Sequence, residues 1–314
     1  MRRLSILLAL AGLAVAALLV LRFDAAQVLG AALSIGWRGF LILLLWQAVL
    51  FVVLGGAWAS VLPGVRVWLL VWGRMVRDAA TTCLPFSPVG GYVIGARAIA
   101  LRGVPWPAAA AGIVVDVTAE IMAQLVFALF GLAVLMLLRP GSGLAGPLGA
   151  GLDAAVVLLL GGYLLRRRIG AVAHALGTRL LGGWFRAADG IDRLRAEMER
   201  LYGSPARLLV GTALHLVGWF GSGIGTWITL RLLGHPADLV GIIALEALLD
   251  MLIAAAFIVP SAAGVQEAGY VGLGAAFGVP PDLALSVSLL RRAKDIAWGV
   301  PILAAWQWQE VRRL

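Results

Sequence analysis

The sequence predicts an all-α polytopic membrane protein, with about six transmembrane helices plus two inverted-repeat re-entrant helical hairpins. Three observations carry that prediction. Hydrophobic residues make up 62% of the 314 residues and charged ones only 13%, with a mean hydropathy of +0.98, which falls outside any soluble class. Several apolar runs are long enough to cross about 30 Å of hydrocarbon. A Pro/Gly-interrupted pattern also occurs twice: Pro85, then Gly91-Tyr92-Val93, then Gly103-Val104-Pro105; and Pro260, then Gly269-Tyr270-Val271, then Gly278-Val279-Pro280. From proline to G-V-P is 18 residues in both copies. Chance alignment of residues common in membrane helices competes with duplication here, but paired interrupted segments in two halves of a chain point to a transporter's binding site.

The formal net charge of +9 is almost all arginine, since Lys294 is the only lysine. Its placement between apolar runs fits a positive-inside bias and an anionic leaflet, without nucleic acid. A single cysteine, Cys83, excludes an intrachain disulfide, and His174, His215 and His235 are scattered, so no metal site is expected. G-x-S-x-G, H-E-x-x-H and P-loop motifs are missing, so neither enzyme chemistry nor a cofactor is expected.

Met1-Arg2-Arg3 and the run Leu4 to Leu21 read as an uncleaved anchor with a cytoplasmic N-terminus, a signal peptide being the alternative. A second span from about Phe40 to Leu62 returns to Arg66, Arg74 and Arg77, taken as cytoplasmic flank. From Val67 to Leu101 the apolar sequence breaks at L-P-F-S-P-V-G-G. Pro85 and Pro88 remove backbone donors there, and Gly90-Gly91 free φ. Arginines at both ends, Arg97 and Arg102 closing the second arm, put both feet on one face: a re-entrant hairpin, with two short spans as the alternative.

Pro107 to Leu138 is a long apolar helix whose Asp116, Glu120 and Gln124 share one face at i, i+4, i+8. A fourth span, Ala150 to Leu165, ends in Arg166-Arg167-Arg168 and opens a cytoplasmic linker over about 166–205. Within it, Trp184 to Leu201 has helical apolar periodicity, read as an interfacial amphipathic helix or a solvated linker helix. The fifth span runs from about Ala206 to Leu233. Leu239 to Val259, carrying Glu246 and Asp250 on one face, leads into the Pro260 break and out through Gly269 to Gly278. Gly91/Gly95 and Gly274/Gly278 are expected to let each returning arm approach its partner. Pro281 to Gln309 forms the last helix, with Arg312 and Arg313 cytoplasmic. The repeats, about 66–138 and 239–310 within one 1–314 membrane domain, enter from opposite faces.

Shifted by 175 positions, Asp116 lands on Arg291 and Glu120 on Asp295. Acidic and basic clusters at one depth are expected to neutralise each other, either lining a polar cavity or simply gluing helices. Arg291-Arg292 read alternatively as a cytoplasmic loop, with the last helix starting near Ala293.

L-P-F-S-P-V-G-G at 84–91, the helix with Asp116 and Glu120, V-P-S-A-A-G-V-Q-E-A-G-Y at 259–270, G-V-P-P and L-L-R-R-A-K-D resemble the flippase-like membrane domain of lysylphosphatidylglycerol synthases and its stand-alone relatives. The likeness covers nearly the whole chain. Its most specific part is P-x-x-x-G-x-x-E, here Pro260, Gly264 and Glu267. The wording is most similar to the hopanoid-biosynthesis-associated branch. The resemblance implies movement or presentation of an amphiphilic lipid in the bacterial inner membrane, with lipid-biosynthesis or export proteins as further partners. Full synthases add a soluble aminoacyl-transferase domain, so neither aminoacyl transfer nor a lysyl-lipid cargo is implied for these residues.

The combined expectation is that hairpin tips, through Ser87, Gly90, Gly264, Gln266 and Glu267, hydrogen-bond a lipid head group. Arg97, Asp116, Glu120, Arg291, Arg292 and Asp295 then line the path. A non-transporting scaffold for lipid-synthesising enzymes and an intramembrane lipid-modifying enzyme are the alternatives.

Overall fold

The computed structural model describes residues 33–84, 88–138, 188–256 and 264–312 as continuous stretches, together with 30, 140–141, 143, 146–151, 153, 156–157 and 262. The predicted first span, most of the fourth, Trp184, Pro85, Ser87 and Pro260 lie outside the described residues. Among the described residues the fold is all helical: α1 (Gly36–Val61), α2 (Val67–Cys83), α3 (Pro88–Ala100), α4 (Trp106–Leu138), α5 (Ala188–Tyr202), α6 (Pro205–Leu232), α7 (Leu239–Ala255), α8 (Val265–Ala276) and α9 (Pro281–Val311).

Length separates two kinds of helix. Helices α1, α4 and α6 are long and apolar enough to cross a membrane. Helix α9 has 31 residues but carries Arg291, Arg292, Lys294 and Asp295. Both α2 and α7 have 17 residues, about 25 Å at 1.5 Å per residue, short of about 30 Å of hydrocarbon. Arms α3 and α8 are shorter still. Each short pair packs on itself, α2 on α3 and α7 on α8. The pairs also exchange partners: α4 packs on α7, and α9 packs on α2.

The two G-V-P tripeptides make the same turn. Gly103 and Gly278 have φ of 97° and 79°, a region glycine enters without a Cβ penalty. The Gly103 N–H donates to Ala100 O and the Val104 N–H to Ile99 O; Gly278 donates to Ala275 O and Val279 to Gly274 O. This is the Schellman helix end, and the valine after the glycine is buried in both copies. A proline follows each time, ending one helix and opening the next.

Close approach of the arms depends on different glycines from those predicted in the second copy. A Cβ on Gly91 would lie 2.0 Å from Thr81 Oγ1 and 2.9 Å from Arg77 O, and one on Gly95 would lie 2.7 Å from Arg77 Cβ, so both let α3 sit on α2. In the second pair Gly269 plays this part against Leu249. Gly274 instead meets Val279 and Ala284, and Gly278 forms the turn itself.

Two apolar clusters lie near opposite ends of α4. Ala109 and Ala111, at its start, pack with Leu70 of α2 and Ile99 of α3. Leu135, near its end, packs with Ile242 and Leu245 of α7 and Leu273 of α8. Helix α5 adds Leu194, Met198 and Leu201 to the first cluster, and Tyr202 Oη lies 2.7 Å from Thr118 Oγ1. Leu194, Met198 and Leu201 of its apolar stripe thus pack toward the start of α4.

Candidate functional site

Helix α2 brings Arg74 and Arg77 one turn apart, and α4 brings Asp116 and Glu120 one turn apart opposite them. Arg77 Nη1 donates to Asp116 Oδ2 at 2.9 Å, and its Nη2 donates to Glu120 Oε2. Arg74 Nη2 donates to Glu120 Oε1 at 2.9 Å, and its Nε to Asp78 Oδ2 at 2.9 Å. From α6, His215 Nε2 lies 2.9 Å from Asp116 Oδ1. The ring of Tyr92 on α3 faces the Arg77 guanidinium at 4.5 Å. Arg77 is 3% exposed and Asp116 is 0% exposed, a burial that pairing and hydrogen bonds make tolerable.

The second cluster uses the same parts with the signs exchanged. Helix α7 supplies Glu246 and Asp250, and α9 supplies Arg291. Arg291 Nη1 donates to Glu246 Oε1, and its Nη2 to Asp250 Oδ1 at 3.2 Å. Tyr270 on α8 donates to Glu246 Oε2 at 2.9 Å, and Thr226 on α6 donates to the same oxygen at 2.8 Å. Beside them, Lys294 Nζ lies 3.5 Å from Asp295 Oδ1 and donates to Gln47 Oε1 at 2.6 Å. A shift of 172 positions carries Arg74 onto Glu246 and Asp78 onto Asp250. A basic arm therefore meets an acidic long helix in one half, and an acidic arm meets a basic long helix in the other.

Between the clusters lies a cavity of about 370 Å³, within the range of small-ligand sites. Arg74, Arg77, Glu120, Asp250, Arg291 and Lys294 line it from four helices, with Asp78 and Asp295 completing a balance of four cations and four carboxylates. Leu50, Phe51, Trp219 and Trp298 supply apolar wall.

Of the residues predicted from sequence, Glu120, Arg291 and Asp295 line this cavity. Asp116 stands behind them, fully buried. The expected pairing of Asp116 and Glu120 with Arg291 and Arg292 does not occur, because each acidic pair already meets a guanidinium within its own half. Arg291 and Arg292 lie inside α9, not in a loop. Arg74 and Arg77 are not flanking markers: they sit two to three turns into α2 and are buried.

Gln266 and Glu267 do not line the cavity. Gln266 Nε2 donates to Ser288 Oγ at 2.8 Å. Arg292 Nε donates to Glu267 Oε1 at 2.6 Å, and the Gly264 N–H donates to Glu267 Oε2 at 2.8 Å. Glu267 thus closes the first turn of α8, where a carboxylate suits the helix dipole. Gly264, at φ 81°, makes the turn before it. Gly90 lies in the first turn of α3, which Pro88 opens, and is not a lining residue. Arg97 is at the far end of α3, exposed, with Nη2 donating to Glu310 Oε1 at 2.5 Å.

Sequence reading missed His215, Tyr270 and Thr226 as site residues, and it misassigned Arg74 and Arg77. The 172-position shift that superposes Arg74 on Glu246 is the signal that would have found Arg74; Arg77 lands on Leu249 and had no such signal.

No curated protein and no solved structure gives a significant match to the chain. A family model described as the lysylphosphatidylglycerol synthase TM region matches residues 6–304. That match, with the apolar helices and the paired ionic clusters, identifies the chain as a membrane protein belonging to the lysylphosphatidylglycerol synthase TM region family.

Proposed function

We propose that the protein is a flippase-like lipid translocase, or a lipid-presenting transporter, that moves an amphiphilic lipid between leaflets without changing it covalently. The cavity between the two ionic clusters carries this reading. It offers a lipid head group a polar, charge-balanced space, while the apolar body stays in the bilayer and keeps about 0.8 kcal/mol per buried methylene. Each of the four cavity carboxylates has a cation within 3.5 Å, which suits charge balance in a passage better than acid–base chemistry.

Two further observations support alternating access by inverted halves. The outer ends of the two short helix pairs pack near opposite ends of α4, and each pair lies against the long helix of the other half. In this reading the short pairs are re-entrant hairpins in the bacterial inner membrane, with both chain termini cytoplasmic. The cargo is a hopanoid or a related lipid, supported by the G-V-Q-E-A-G-Y and R-R-A-K-D wording.

The test is leaflet accessibility of a head-group-labelled lipid in liposomes containing the protein. Asp295→Asn and Lys294→Gln change the cavity's charge at partly exposed positions. Each is expected to alter the exchange rate, and rates equal to those of the wild type for both would contradict the assignment.

A further inference from the structure

The start of α2, the turn into α4 and the end of α5 line a second, open cavity of about 640 Å³. Its charged lining is three arginines, Arg66, Arg102 and Arg200, and none of its lining residues is acidic. Arg66 is exposed and makes no ion pair among the described residues. Arg102 rests on neutral partners: its Nε donates to Gln309 Oε1 at 3.2 Å, and its guanidinium lies 5.7 Å from the Trp72 ring. Arg200 has a carboxylate beside it, Glu197 on its own helix at 2.6 Å, and remains half exposed. The central cavity matches cation to carboxylate, whereas this one is lined by three arginines of which Arg200 alone, among the described residues, has a carboxylate partner.

The rim indicates which anion. Trp68, which lines the cavity, is 72% exposed in the first turn of α2 beside exposed Val67, and Trp106, outside the lining, is 39% exposed in the first turn of α4. Tryptophans at helix ends in a membrane-spanning chain mark the head-group level. Basic pockets between helices at that level suit anionic lipid head groups. Pro63, Val65, Leu69 and Ala108 give the rest of the lining an apolar wall.

We propose that this cavity binds the phosphate-bearing head group of an anionic phospholipid. Arg66, Arg102 and Arg200 engage the phosphate, and Trp68 with the apolar wall packs against the glycerol and upper acyl region. The site is separate from the central cavity, so the bound lipid is a resident of the fold and not its cargo.

The test titrates the purified full chain, in neutral detergent, with dioctanoyl phosphatidylglycerol, dioctanoyl phosphatidylcholine or inorganic phosphate, counting bound lipid by native mass spectrometry. Phosphatidylglycerol is expected to bind in preference to phosphatidylcholine. Arg66→Gln, which breaks no hydrogen bond or ion pair among the described residues, is expected to weaken it about fivefold, and the triple variant Arg66→Gln/Arg102→Gln/Arg200→Gln about a hundredfold. Arg97→Gln, which removes an exposed arginine that lines neither cavity, is expected to leave it unchanged. Equal binding of the two lipids, or undiminished binding by Arg66→Gln and the triple variant, would overturn the proposal. Displacement of the lipid by an equal concentration of inorganic phosphate would also overturn it, assigning the site to a free anion.

Discussion

Asp116 and Arg291 stand at corresponding turns of α4 and α9, 175 positions apart, yet they do not meet: Asp116 accepts from Arg77, and Arg291 donates to Glu246 and Asp250. Each buried acidic pair meets a guanidinium of its own half. A shift of the halves against each other would therefore leave these central pairs intact, while the exposed Arg97–Glu310 pair joins α3 to α9 across them.

Removing one partner of such a cluster leaves buried charge uncompensated. Arg77→Met removes the guanidinium that Asp116 and Glu120 share, leaving Asp116 only His215 and Glu120 only Arg74 as close partners, and is expected to cost about 3–5 kcal/mol, measured as a lowered unfolding midpoint in detergent. Arg77→Lys keeps the charge but cannot fork across two carboxylates, so its loss should be intermediate. A midpoint equal to wild type for Arg77→Met would contradict the pairing.

Backbone contact between α2 and α3 makes Gly91 intolerant. Gly91→Val must displace Thr81 Oγ1 and the Arg77 carbonyl, an overpacking expected to cost about 1–3 kcal/mol. Gly272, on α8 with nothing within 4 Å of its would-be Cβ, is the control: Gly272→Ala should be neutral or stabilising by up to about 1 kcal/mol. Thermal unfolding of the two variants side by side checks the contrast.

Local features were legible in the sequence because local chemistry sets them. The G-V-P turns follow from glycine's φ and proline's missing N–H, and the shared face of Asp116 and Glu120 follows from helical spacing. Partners were not legible. Arg77 and Glu120 are 43 positions apart, and His215 and Asp116 are 99 apart. Arg74 and Arg77 misled for a physical reason: charge beside an apolar run looks like flank until the helix start at Val67 shows it to be two turns inside. The P-x-x-x-G-x-x-E signature drew attention to Glu267, whose work is to fasten the start of α8 to Arg292.

That role gives Glu267→Gln a distinct signature. It weakens the Arg292 fork and the closure of the first turn of α8, expected to cost about 1–3 kcal/mol. Lipid exchange per folded molecule should be unchanged, because Glu267 does not line the cavity. Unfolding and exchange measured on one preparation separate the two effects.

Arg97, at the exposed end of α3, belongs to neither cluster. Arg97→Gln loses the Glu310 pair and is expected to cost less than about 1 kcal/mol. Stability and lipid exchange near wild-type values are the expected readings.

The most direct test fills the cavity without touching its charges. Ala254 lines it, and Ala254→Trp adds bulk there while every ion pair remains. In liposomes carrying a head-group-labelled lipid, wild-type protein should expose inner-leaflet label faster than empty liposomes, and Ala254→Trp should reduce exposure to the empty-liposome rate. Wild type no faster than empty liposomes, or Ala254→Trp as fast as wild type, would contradict a lipid head group passing between the ionic clusters.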